Sequence, residues 1–219
     1  MNTKNFFELI TSYDLITLLK AGISEVHRKV WRELIKGSYS QNYEDLIIDK
    51  LFRKRVGSYI EIGAYHPTRL SNTYRFYKKG WRGTVIEPNP EVKKKFTEIR
   101  PGDKYFAIGV ADKNGYLEYY QFLIPALNTF SKKNINKNHK MIGVEKIEIK
   151  NVKDVVNHNY DFLSLDTEGF DKLILENWPW NVCKPTIICV EGETKSILTK
   201  IGYKIYAKTK DNTIFVFEK

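Results

Sequence analysis

At 219 residues with 42% hydrophobic content, including four Trp, fourteen Tyr and twelve Phe, the chain can build one α/β core and has no room for a second full domain. Its apolar runs, such as Ile187–Val190, are strand-length, short of the roughly 20 residues of a membrane span. Glu8 and Asp14 interrupt the N-terminus where a secretory leader is apolar, so a cytoplasmic protein without a transmembrane segment is expected. Two cysteines, Cys183 and Cys189, exclude a disulfide framework, and the net charge of +10 comes largely from lysines dispersed along the chain, which read as a solvated surface.

In chain order, residues 1–36 carry apolar side chains at helical spacing (Phe6, Ile10, Tyr13, Leu18, then Val26, Val30, Leu34) and break near Ala21-Gly22. They are expected to form an N-terminal helical extension that packs on the domain or joins copies of the chain into a homo-oligomer. Residues 37–219 are expected to form the main domain. After Gly37-Ser38 comes a helix over Tyr43–Arg53 that buries Leu46, Ile47 and Leu51. From Gly57 short apolar runs alternate with helical stretches: Ser58–Gly63, Gly83–Glu87, Tyr105–Ile108, Asp161–Asp166 and Thr186–Val190. Such alternation predicts βαβ units and five core strands of a parallel sheet. Tyr203–Tyr206 and Thr213–Phe217, separated by Lys210-Asp211-Asn212, predict a closing hairpin. A mostly parallel central sheet ending in an antiparallel hairpin is the Rossmann-like layout of class I methyltransferases. Between Leu117 and Ile149 the pattern weakens apart from a strand-like Tyr119–Phe122, and the Asn- and Lys-rich stretch from Asn128 to Lys140 reads as an active-site flap.

Ligands of open parallel sheets bind at the carboxyl ends of the strands, so the residues there are the candidates. The first strand ends Glu61-Ile62-Gly63-Ala64-Tyr65-His66-Pro67, where Gly63 permits close backbone approach and Glu61 sits near the methionine end of a cofactor. The second ends in Glu87, placed to accept hydrogen bonds from ribose hydroxyls. A dinucleotide would need three glycines for its pyrophosphate, and Tyr65 and Pro67 obstruct that cradle. S-adenosylmethionine has no pyrophosphate and is the expected cofactor. The fourth strand ends Asp166-Thr167-Glu168-Gly169-Phe170-Asp171 and the fifth Glu191-Gly192-Glu193. Carboxylates gathered at adjacent strand ends repel one another unless a proton, a cation or a substrate hydroxyl lies between them. They suit a general base or the oxygen ligands of Mg²⁺ or Mn²⁺ (Asp166, Glu168, Glu191), and His66 is the competing base.

Five segments resemble the FkbM-type methyltransferase family: Ser40-Gln41-Asn42-Tyr43-Glu44-Asp45; Tyr59 to Pro67; Ser71-Asn72-Thr73; Gly80 to Pro90; and Leu165-Asp166-Thr167-Glu168-Gly169. The resemblance implies the class I fold, S-adenosylmethionine as methyl donor and O-methylation of a sugar or natural product, sometimes with a divalent metal. It assigns the cofactor to Glu61, Gly63, Ala64, Tyr65, Glu87, Pro88, Ile108 and Asp166, with Gln41 and Asp45 bordering that site. Asp166, Glu168, Glu191, His66 and Asn72 are assigned to the acceptor side, with Asp166, His66 and Glu168 as catalytic residues. The sequence departs from the family at Asp171, where Glu is more frequent, and at Asn42-Tyr43, where a Gly often precedes the acidic pair.

The expected activity is methylation of a hydroxyl on a glycan, polysaccharide or nucleotide sugar. A non-catalytic carbohydrate-binding or scaffolding module is the alternative. Nucleic acid, favoured by charge alone, is not expected as a partner.

Overall fold

The computed structural model describes residues 37–52, 56–135 and 138–218. The expected helical extension over 1–36, and Arg53 at the end of the first expected helix of the domain, lie outside them. Helix α1 (Glu44–Phe52) opens the domain and is followed by β1 (Ser58–Ile62), α2 (Tyr74–Lys78), β2 (Arg82–Ile86), α3 (Lys93–Ile99) and β3 (Lys104–Phe106). Then come β4 (Gly109–Ala111), β5 (Gly115–Phe122), β6 (Met141–Asn151), α4 (Val152–Val155), β7 (Phe162–Leu165), α5 (Asp171–Glu176), β8 (Ile187–Glu191), α6 (Lys195–Lys200), β9 (Tyr203–Lys208) and β10 (Asn212–Phe217).

Seven strands form the central sheet in the order β3-β2-β1-β7-β8-β10-β9. The five expected core strands pair in parallel, and β10 inserts antiparallel between β8 and β9. This is the class I methyltransferase fold. The order reverses beside β1, so the crossovers leave a crevice at its carboxyl end.

Alternation along the strands explains the layers. Ile60, Ile62, Leu163, Leu165, Ile188 and Val190 share one apolar cluster with Ile174 and Leu175 of α5 and Leu198 of α6. Tyr59, Val85, Phe162 and Cys189 belong to the other, packed against Ile48 and Phe52 of α1, Phe76 of α2 and Phe96 of α3. Both cysteines are buried thiols. Among the described residues no helix is long and apolar enough to cross a membrane.

The weakly patterned region differs from the irregular stretch expected. Residues Met141–Asn151 form an eleven-residue strand, and β4, β6 and β5 make a second, three-stranded sheet. Only Ile147 and Ile149 of β6 are buried, because most of the strand lies open to solvent. A two-residue apolar signal is too short to declare a strand; its pairing with β5 supplies the order instead. The third expected strand is also shorter, ending at Phe106 and leaving Ile108 in the connection to β4.

Candidate active site

The last row common to the adjoining parallel strands joins Ile86, Ile62, Leu165 and Val190. The next residues are Glu87, Gly63, Asp166 and Glu191, so one row at the carboxyl ends sets three carboxyl groups around a glycine. Over this row opens a cleft of about 900 Å³, a volume that includes open solvent at its mouth. Gln41, Gly63, Tyr65, Glu87, Pro88, Ile108, Asp166 and Glu168 all line it, bringing together most of the expected site.

Gly63 has φ +81, and a Cβ there would lie 1.6 Å from the carbonyl oxygen of Asp166. The close approach that requires glycine is thus made by the neighbouring strand end. Beside it the Glu87 carboxylate accepts from the backbone N–H of Tyr65 at 2.8 Å and that of Asn89 at 2.8 Å. Burial pushes its carboxyl up to about 7, although both N–H groups and Tyr119 favour the ionised form. Each oxygen holds one backbone N–H and retains further acceptor capacity.

Asp166, Glu168 and Glu191 each offer a carboxylate oxygen within 4.8 Å of the others. Burial raises Asp166 well above the usual carboxylate range, and the nearby Glu191, Asp171 and Glu168 charges add to it. Asp166 and Glu191 lie close enough to interact directly, and burial raises both, so ionising the two together is disfavoured. Burial, then Glu191 and Asp171, pushes Glu168 up to about 7. Asp171 stands behind the cluster and accepts from the N–H of Thr167 at 3.0 Å, shaping the turn.

Backbone strain gathers here. Tyr65 (φ 50), Leu70 (φ 54) and Glu168 (φ 53) are three of the four described non-glycine residues with positive φ, and all three line the cleft. The Glu168 carbonyl is held by Thr129 Oγ1 at 2.8 Å and Asn134 Nδ2 at 2.7 Å, which secures that conformation from the segment expected as a flap.

Other expected residues stand elsewhere. Glu61 does not reach the cleft; its carboxylate is 3.0 Å from Arg100 Nη1 and also accepts from Ser71 and Thr73 inside the domain. Asp45 is fully buried, accepting from the hydroxyls of Ser38 and Ser40 and the N–H of Tyr39, so it ties down the 38–46 turn and is not among the residues lining the cleft. Ala64 packs into the apolar cluster under α1–α3. Asn72 is buried and donates to Ser164 Oγ at 3.1 Å, one layer below the strand ends. Glu191 is outside the cleft lining and meets it through Asp166.

His66 Nδ1 accepts from the N–H groups of Thr68 and Arg69, both at 3.2 Å. A neutral ring with Nδ1 accepting carries its proton on Nε2, where it donates. The ring is held by its own turn, and His66 is not among the residues that line the cleft.

Sequence reading overlooked Leu70, Asn89, Tyr119, Asn128, Phe130, Thr167 and Phe170 in the cleft wall. Asn128 and Phe130 lie in the expected flap, and Tyr119 in the strand-like stretch before it. No local motif marks these three, since they arrive with the second sheet and the connection between its strands, whereas Asn89 and Thr167 lie within the segments that resemble the family and carried no expected role.

The profile of the Methyltransferase FkbM domain matches residues 61–203, well over half the chain. Comparison with curated proteins finds no match. Among solved structures, a putative caffeoyl-CoA O-methyltransferase from Staphylococcus aureus is 12% identical, with 92% of this chain and 100% of that one covered at a TM-score of 0.49. A TehB-like SAM-dependent methyltransferase from Corynebacterium glutamicum is 9% identical, with 90% and 100% covered at 0.43. A putative RNA methyltransferase from Pyrococcus horikoshii is 10% identical, with 80% and 82% covered at 0.45. At these scores the strand order carries the fold assignment.

Proposed function

The chain belongs to the FkbM methyltransferase family, S-adenosylmethionine-dependent enzymes, and from that premise we propose that it methylates a hydroxyl of a sugar borne by a glycan or nucleotide sugar. The observation that carries this reading is the Asp166–Glu168–Glu191 cluster bordering the cleft. An acceptor hydroxyl must lose a proton as its oxygen attacks, and a carboxyl group with a raised pKa is matched to that task. S-adenosylmethionine, when bound, supplies a sulfonium-activated methyl group.

The residues fit this cofactor. Glu87, fixed by the Tyr65 and Asn89 N–H groups, keeps acceptor capacity for a pair of ribose hydroxyls. Asp166, raised by burial and by the neighbouring Glu191, Asp171 and Glu168 charges, is the carboxyl group disposed to take the proton of an acceptor hydroxyl. Tyr65, Phe130 and Phe170 add aromatic wall, and Asn128 and Thr167 add polar groups suited to sugar hydroxyls. The residues of the cleft wall would hold the acceptor hydroxyl beside the carboxyl cluster, and such positioning would supply much of the acceleration. The same three carboxylates are hard oxygen donors suited to Mg²⁺ or Mn²⁺, which would acidify the acceptor hydroxyl.

The test is methyl transfer from S-adenosylmethionine labelled in the methyl group to a panel of nucleotide sugars, with and without a chelator. Label in the sugar, lost by at least about 100-fold in Asp166→Asn with folding intact, is expected. Undiminished transfer by that variant refutes the catalytic assignment, and label found only in nucleic acid or an amine refutes the acceptor.

A further inference from the structure

Glu168 lines the cleft and shares the carboxyl cluster with Asp166 and Glu191, yet its backbone is held by a distant part of the chain. Asn134 Nδ2 and Thr129 Oγ1, 34 and 39 residues earlier, donate to its carbonyl oxygen at 2.7 and 2.8 Å. Thr129 is 1% exposed and is anchored to β5, exchanging backbone hydrogen bonds with Tyr120 at 2.8 and 3.1 Å. Its Oγ1 also accepts from the N–H of Ser131 at 2.9 Å. Asn134 closes the single turn Lys132–Asn134, where its own N–H donates to the Ser131 carbonyl at 3.0 Å. Gly169 makes the approach possible, because a Cβ there would lie 2.8 Å from Asn134 Nδ2 and 3.2 Å from Ser131 Cβ.

The consequence lies in where the Glu168 side chain stands. Its φ of 53 belongs to the left-handed region, which a residue bearing a Cβ leaves unless its surroundings hold it. Rotation about the N–Cα bond carries the carbonyl carbon and the Cβ together, so donors that fix the carbonyl also fix the direction of the side chain. Within the turn, Asp171 accepts from the N–H groups of Thr167 and Gly169, and Thr167 Oγ1 from that of Phe170. The 129–134 segment takes hold at the Glu168 carbonyl. We infer that Asn134, together with Thr129, is a positioning residue for the reaction: by holding that carbonyl it keeps the Glu168 carboxyl in the cleft beside Asp166. This inference rests on the reading of Glu168 as part of the methyl-transfer site.

The experiment measures kcat and KM with methyl-labelled S-adenosylmethionine and the acceptor that takes the label in the panel above. Titration of S-adenosylhomocysteine and urea unfolding accompany it. Asn134→Ala and Thr129→Val each remove one donor and are expected to lower kcat about fivefold to tenfold. Affinity for S-adenosylhomocysteine is expected to stay within about twofold of wild type, because neither change removes a cleft-lining residue. Thr129→Ser keeps the hydroxyl and is expected to keep kcat within about twofold. In a Glu168→Gln background Asn134→Ala is expected to add nothing, because the carboxylate it positions is already gone. A crystal structure of the Thr129→Val/Asn134→Ala chain is expected to show Glu168 turned out of the cluster. Wild-type kcat in Asn134→Ala overturns the inference. So does the same fold loss repeated in the Glu168→Gln background, a matching loss of S-adenosylhomocysteine affinity, or Glu168 unmoved in that crystal structure. A wild type that methylates no member of the panel overturns the reading of the site itself and this inference with it.

Discussion

Replacing Arg100 by Met isolates the buried charge network that holds Glu61. The guanidinium is 1% exposed and donates to Glu61 Oε2 at 3.0 Å, Asp103 Oδ2 at 2.7 Å, the Tyr59 hydroxyl at 3.0 Å and Thr73 Oγ1 at 2.9 Å. Methionine preserves much of the volume and removes these four bonds together with a longer one to the Pro67 carbonyl at 3.5 Å. Glu61 then remains 3% exposed without its cation, while Asp103 still accepts from Tyr59 and from the N–H of Gly83. Breaking a buried ion pair from one side costs about 3–5 kcal/mol, against a total stability of about 5–15 kcal/mol. The expected fall in melting temperature is about 6–20 °C for a domain of this size. Urea unfolding followed by tryptophan fluorescence reads the loss, and adding Glu61→Gln is expected to recover part of it, because the neutral amide keeps one oxygen to accept from Ser71 and turns its NH₂ to the Thr73 oxygen that Arg100 has vacated. A loss below about 1 kcal/mol in Arg100→Met, or no recovery with Glu61→Gln, refutes the assignment of Glu61 to the scaffold.

Gly63→Ala forces a side chain into φ +81 with its Cβ 1.6 Å from the Asp166 carbonyl oxygen. About 1–2 kcal/mol of backbone strain and about 1–3 kcal/mol of overpacking are expected as a lower urea midpoint; a midpoint equal to wild type contradicts the packing described. Glu168 sets a pH dependence. Its folded carboxyl holds a proton up to about 7 whereas the ordinary value is 4.5, so between these pH values the unfolded chain binds fewer protons and stability falls as pH rises. Glu168→Gln is expected to flatten that fall by about 1–3 kcal/mol, read from urea midpoints at pH 4.5 and 7.5; an identical slope in the variant contradicts it.

The central strands were legible because each is buried on both faces and reads as a short apolar run, as Phe162–Leu165 and Ile187–Val190 do. Their carboxyl ends were legible for the same reason, since a carboxylate closing such a run has the sheet edge as its place. The illegible parts depend on partners remote in sequence. Glu61 looks like a strand-end ligand until Arg100, 39 residues on, turns out to hold it. Asn72 stands beside the right strands but faces Ser164, 92 residues away. Tyr119 and Asn128 reach the cleft through a sheet whose long strand β6 is largely exposed and so carries little apolar pattern. His66 is different: the turn that occupies its Nδ1 is local, yet hydrogen bonds to backbone N–H groups leave no mark in residue types.

The central claim is that the cleft over the carboxyl ends of β1, β2 and β7 binds S-adenosylmethionine with Glu87 as the acceptor for its ribose. Calorimetric titration of S-adenosylhomocysteine into the wild type and into Glu87→Ala tests it most directly. Saturable one-to-one binding is expected, weakened about 10- to 100-fold in the variant, as loss of hydrogen bonds to a charged group requires. No binding by the wild type, or equal affinity in a folded Glu87→Ala chain, contradicts the account.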